Sequence, residues 1–135
     1  MLKFGSLPPQ VVPAKLPDSE VPSGTLVKAA GWGATSEGGP PIALLLRYVE
    51  VPIVARSACQ RAYGSASVNT RMLCAGASED SKDVCQGDKG GPLFHGDTLV
   101  GIVSWGDGCG RDSAPGGYAN VSNPAIMSFV HHYLV

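Results

Sequence analysis

Apolar residues in this chain come in short runs broken by glycine and proline, and most runs have the length of a β-strand. GTLVKAAGWG, residues 24–33, is apolar and ends in glycines, and SEGGPP, residues 36–41, is a loop by composition. LLLRYVEVPIV, residues 44–54, is a long run in which Arg47 and Glu50 mark partial exposure. RMLCAG, residues 71–76, is a short strand, and PLFHGDTLVGIVSWG, residues 92–106, reads as a hairpin turning at Gly96 and Asp97. GGYANVS, residues 116–122, supplies a last strand. About six strands at fairly regular spacing predict an all-β fold, a small antiparallel barrel or sandwich. Two helical segments interrupt them. One runs near Ala55–Tyr63 and carries Cys59. The other follows Asn123, a good N-cap, with Pro124 at the first helical position. Ile126, Phe129, Val130, Tyr133 and Leu134 recur at helical spacing, which predicts a C-terminal helix packing that stripe on the barrel.

The 135 residues suffice for one ordinary domain. Hydrophobic residues make up 44% and charged residues 16%, so a packed core forms readily. A net charge of -1 gives no electrostatic reason to expect nucleic acid or an anionic membrane as partner. No apolar run reaches the roughly 18 residues of a membrane span. The first residues lack the continuous apolar stretch of a secretory signal. Pro8, Pro9, Pro13, Pro17 and Pro22 instead predict an extended lead-in over residues 1–23, with the folded domain over residues 24–135. Cys59, Cys74, Cys85 and Cys109 suit two disulfides, and four cysteines allow three connectivities. Four buried thiols are the bland alternative. Zinc is disfavoured, because no Cys-x-x-Cys pair occurs and His95, His131 and His132 lie far from the cysteines in sequence.

The chemistry concentrates in DVCQGDKGGPLF, residues 83–94. Together with GWGATSEGG, LRYVEVPIV, RMLCAGAS and GIVSWGDGCG, in that family's order, this stretch resembles the C-terminal half of trypsin-like serine endopeptidases of the chymotrypsin fold, and most of all the arthropod trypsins. The resemblance covers nearly the whole chain. It implies a six-stranded antiparallel β-barrel with a C-terminal α-helix, the second of the family's two barrels. It also implies the pairs Cys59–Cys74 and Cys85–Cys109. A further pair common in vertebrate members would fall at Val27 and His95, where both cysteines are lacking.

Carried over residue by residue, the resemblance makes Asp83 the acid at the base of the primary specificity pocket. There a carboxylate attracts an Arg or Lys side chain. Gly106 and Gly116 would be pocket walls, and Ser104, Trp105 and Gly106 would pair with an extended substrate backbone. Gln86 would edge the cleft. Gly117 departs from the branched apolar residue often found at its position. The backbone N–H groups of Gly87 and Lys89 would form the oxyanion hole. Asp88 would hold that turn by pairing with an N-terminal amine released on activation, and without that amine it is expected to lack a partner.

Family catalysis uses a serine nucleophile, a histidine base and an orienting aspartate. Lys89 stands where the serine belongs, and the histidine and aspartate belong to the first barrel. The reading is therefore a truncated trypsin-like domain, catalytically inactive as it stands. The alternatives are a protease homologue serving as a binding module, and a half-enzyme needing a complementary first-barrel chain. Lysine chemistry at residue 89 is disfavoured, because Asp83 and Asp88 nearby favour the charged, unreactive ammonium. That ammonium is expected either to pair with Asp88 or to bend into the pocket toward Asp83. No cofactor or metal is implied. The implied partners are peptides or proteins presenting Arg or Lys, and protease inhibitors. The implied setting is extracellular, where disulfides persist. The family's interface between barrels is apolar, so exposed apolar surface and self-association are expected of the half alone.

Overall fold

Alternation of inward and outward side chains along the strands builds the fold seen in a computed structural model, which describes residues 8–76, 82–111 and 113–134. In β1 (Leu26–Gly31), Val27 and Ala29 point inward while Leu26 and Lys28 face out. In β2 (Arg47–Val54), Val51 and Ile53 point inward while Tyr48 and Glu50 face out. These two strands pair antiparallel with Val27 opposite Val51. They are followed by α1 (Arg56–Tyr63), β3 (Met72–Ala75), β4 (Pro92–His95), β5 (Thr98–Trp105), β6 (Gly116–Asn120) and α2 (Pro124–Tyr133).

The six strands form a closed barrel in the order β1-β2-β3-β6-β5-β4, with every pairing antiparallel. The core is a single cluster inside it that includes Val27, Val51, Ile53, Leu93 and Tyr118. The hairpin turn falls at Gly96 and Asp97, and Gly96 has a φ of 60° that suits glycine. Register shifts occur at Leu93/Phe94 and at Val103/Trp105. The second of these lies in the stretch of β5 that borders the site described below.

The long apolar run is only partly strand. β1 ends at Gly31, which pairs with Arg47, so Leu44, Leu45 and Leu46 have no strand to join. They stand exposed beside Ile42 and Tyr48, with Leu44 at 99%. Dynamic light scattering of the chain is expected to show species larger than a monomer, which Leu44→Glu combined with Leu45→Glu reduces.

Two disulfides tie the loops down. Cys59 on α1 pairs with Cys74 on β3, closing a sequence separation of 15, and both sulfurs sit in a small buried cluster with Val68. Cys85 pairs with Cys109. Replacing Cys59 and Cys74 by alanine is expected to lower the unfolding free energy by about 3 kcal/mol, the loop-entropy value for a closure of that size. An earlier urea midpoint reads it out, with the slope rising as the unfolded chain loses its cross-link. The lead-in segment is fastened at two points. Lys15 bridges to Thr98 and pairs with Asp97 at 2.9 Å. Glu20 accepts from Arg56, whose guanidinium also donates to the carbonyl of Met72 at 3.1 Å.

The terminal helix begins as its sequence predicts. Asn123 Oδ1 accepts from the N–H groups of Ala125 and Ile126, and Pro124 sits in the first turn. Its stripe does not pack as expected. Ile126 and Val130 are only half-buried, and Phe129, Tyr133 and Leu134 are exposed. Phe129 and Tyr133 instead rest on each other, ring centroids 4.8 Å apart. The barrel closes through the β1–β4 pairing and fills its own core without the helix.

Candidate active-site pocket

Asp83 opens a run of tight turns between β3 and β4. Its Oδ1 accepts from Val84 N–H at 2.8 Å and its Oδ2 from Gly110 N–H at 3.0 Å. Both bonds favour the carboxylate, yet burial outweighs them and raises its pKa above the usual 3.8, with the nearby Asp88 charge adding to the rise. The carboxylate lines a cavity of about 120 Å³ together with Gln86, Lys89, Trp105, Gly106 and Gly116. A Cβ on Gly116 would lie 2.8 Å from Asp83 Oδ1, and one on Gly106 would lie 3.8 Å from Gly116 Cα. Side chains at these two positions would therefore crowd the carboxylate and fill the slot above it. Ser104 is exposed on β5 and does not line this cavity.

The turn beyond Asp83 is set by backbone bonds from Asp88 N–H to the carbonyl of Cys85 at 3.0 Å and from Gly91 N–H to the carbonyl of Asp88 at 2.8 Å. Gly87 and Gly90 take φ values of 95° and 85°, which side-chain-bearing residues resist. Neither Gly87 N–H nor Lys89 N–H donates to an acceptor among the described residues. The Gln86 side-chain amide touches both sulfurs of the Cys85–Cys109 bridge, at 2.9 and 3.2 Å.

Asp88 is not without partners, contrary to expectation. Its Oδ1 accepts from Gly33 N–H at 2.8 Å and its Oδ2 from Cys85 N–H at 3.0 Å. The socket for it is cut by two glycines. A Cβ on Gly31 would overlap Asp88 Oδ1, and one on Gly33 would sit 2.5 Å from Asp88 Cγ. A second cavity of about 210 Å³ lies against this carboxylate, lined also by Gly31, Gly33, Arg47, Tyr48 and Asp83. Lys89 follows neither path expected of it. Its side chain is exposed and makes no ion pair with Asp83, Asp88 or any other described residue. Both carboxylates already accept two backbone N–H bonds, which leaves little for an ammonium to gain there. His95, His131 and His132 line neither cavity.

Several residues at the site were not singled out from sequence. Tyr118 is fully buried, and its hydroxyl bonds nothing among the described residues. It lies 3.4 Å from where a Gly116 Cβ would be, in the core behind that glycine, and burial raises its pKa. Glu37 accepts from Arg111 Nε at 3.1 Å and from Cys109 N–H at 3.3 Å, linking two loops beside the pocket. Arg111 holds the Glu37 carboxyl below its usual range. No sequence signal joins residues 74 apart. Gly117, which departs from the family pattern, has a local cause. A Cβ there would lie 2.5 Å from the Trp105 indole, which is packed edge-on against Tyr63 at 4.7 Å.

A closed six-stranded antiparallel barrel followed by a C-terminal helix is consistent with the trypsin-like fold. The Trypsin family profile matches residues 2–127, and the chain belongs to that family. It is 46% identical to trypsin 5G1 of Aedes aegypti over 114 residues, covering 82% of this chain and 42% of that protein. It is 50% identical to trypsin eta of Drosophila melanogaster over 105 residues, covering 77% and 40%. With trypsin-1 of Astacus astacus it shares 46% over 118 residues, covering 83% and 48%. The chain thus spans less than half the length of these relatives. Among solved structures, neuropsin, a serine protease of mouse brain, superposes with a TM-score of 0.85 at 33% identity, covering 94% of this chain and 56% of that one.

Proposed function

We propose that this chain is the substrate-recognition half of a trypsin-like domain and is catalytically silent, binding peptides through an arginine or lysine side chain without cutting them. The observation that carries this reading is Lys89. It stands in the motif where the family's hydroxyl belongs and lines the same cavity as Asp83. Removing the nucleophile from such a site leaves only the residual rate due to binding and backbone donors. In this reading Gly106 and Gly116 keep the slot open, Ser104 to Gly106 align an extended peptide, and Gln86 edges the cleft. The N–H groups of Gly87 and Lys89 face the carbonyl of the bound residue. Asp88 is the activation-linked residue, clasped by Gly33 N–H until an incoming amine joins it. The partners are basic peptides, protease inhibitors and a first-barrel chain, met outside the cell, where the two disulfides persist.

Titration with benzamidine tests the pocket. Saturable binding that Asp83→Ala abolishes supports it, and no binding to the folded chain overturns it. Silence is tested separately, by the absence of turnover of an arginyl ester by chain free of contaminating protease. The pH dependence follows from Asp83. Its raised pKa means that the carboxylate takes up a proton at a pH above 3.8. A cationic guest requires the ionised form, so benzamidine affinity is flat at neutral pH and falls as pH drops through that raised value. The fall begins at higher pH than an ordinary aspartate would give.

A further inference from the structure

Two residues of opposite charge share the pocket. Half-buried Asp83 and exposed Lys89 both line the same cavity. A guest carrying only a positive charge satisfies Asp83 and leaves the Lys89 ammonium unmatched. Nothing within the described chain matches it either, since both neighbouring carboxylates are engaged by backbone N–H groups. Beside the ammonium, the N–H groups of Gly87 and Lys89 lack acceptors, in a turn held by positive-φ glycines. Exposed N–H groups in such turns receive anions. The complementary ligand therefore has a cationic end, an alkyl stem and an anionic end within one residue.

We infer that the pocket reads the free C-terminal arginine or lysine of a peptide, with the side chain toward Asp83 and the terminal carboxylate at Lys89 Nζ and the N–H groups of Gly87 and Lys89. This rests on the pocket reading above and gives the lysine a role there. A chain-internal arginine presents a neutral carbonyl to Lys89, whereas a terminal one presents a full negative charge. Charge-assisted hydrogen bonds are about twice as strong as neutral ones. The substitution thus turns a position that would attack a carbonyl into one that holds a carboxylate.

Calorimetric titration of the full chain with acetyl-Ala-Ala-Arg as free acid and as carboxamide tests the inference, with benzamidine run alongside. The free acid is expected to bind about tenfold more tightly, the gain of one charge-assisted hydrogen bond. That preference shrinks in high salt. Lys89→Met brings the acid-to-amide ratio toward one, and Lys89→Arg restores part of it. Equal affinity for acid and amide, with benzamidine still bound, overturns the inference and spares the pocket. A preference that survives Lys89→Met also overturns it, because the backbone alone then reads the carboxylate. Loss of benzamidine binding as well, in folded chain, overturns both.

Discussion

A fusion of this chain to the first barrel of a full-length arthropod trypsin is expected to remain inert toward an arginyl ester, while the same fusion carrying Lys89→Ser turns it over on the order of 10⁶-fold faster. The size of the effect comes from the interdependence of the catalytic groups. A histidine and aspartate positioned without a nucleophile have nothing to activate, so restoring them alone gains little. An ammonium at residue 89 cannot replace the hydroxyl. As an ammonium it has no lone pair with which to attack a carbonyl. Single-turnover kinetics on the two fusions read out the comparison. A folded, benzamidine-binding Lys89→Ser fusion that stays inert would show that the turn at Gly87–Lys89 is misassigned.

Gly33→Ala is expected to be strongly damaging although it lies outside the Asp83 cavity. Its Cβ would lie 2.5 to 2.6 Å from Asp88 Cγ, Oδ1 and Oδ2, and Asp88 must move to admit it. Moving it breaks the bonds from Gly33 and Cys85 N–H, each a hydrogen bond to a charged acceptor. The expected loss is roughly 2–4 kcal/mol of stability. Benzamidine affinity is expected to fall about tenfold, since the same carboxylate fixes the turn behind Asp83. In an Asp88→Ala background most of the added cost of Gly33→Ala disappears, because the atoms it strikes are gone. A double-mutant cycle by chemical denaturation measures that coupling, and additive effects would show that Asp88 does not set the position of residue 33.

The barrel was legible because its strands are short, β-branched and separated by glycine, which is the pattern that alternation imposes on a half-buried strand. Asn123 and Pro124 announced the helix start through local chemistry alone. What that helix touches was not legible, since a stripe such as Phe129 and Tyr133 says only that some apolar surface would suit it. Leu44–Tyr48 was expected to be poorly covered apolar surface, and these residues do stand exposed; that β1 stops at Gly31, which causes it, is not visible in the sequence. At the site, the DVCQGDKGG motif pointed to Asp83 and Lys89. The socket for Asp88 lies 55 residues upstream, in the glycines of GWG. Their glycine-only spacing was the available signal, and its cause is a carboxylate that arrives only on folding.

A cylinder in which each of six strands has a neighbour on both sides offers a second copy little to extend, beyond the part of β2 ahead of Ile53. Growth of a fibre of stacked strands is thereby disfavoured while the cylinder holds. Clusters of this chain, if they form through the exposed Ile42, Leu44, Leu45, Leu46 and Tyr48 side chains, are expected to disperse on dilution or under a partner that lies across those side chains.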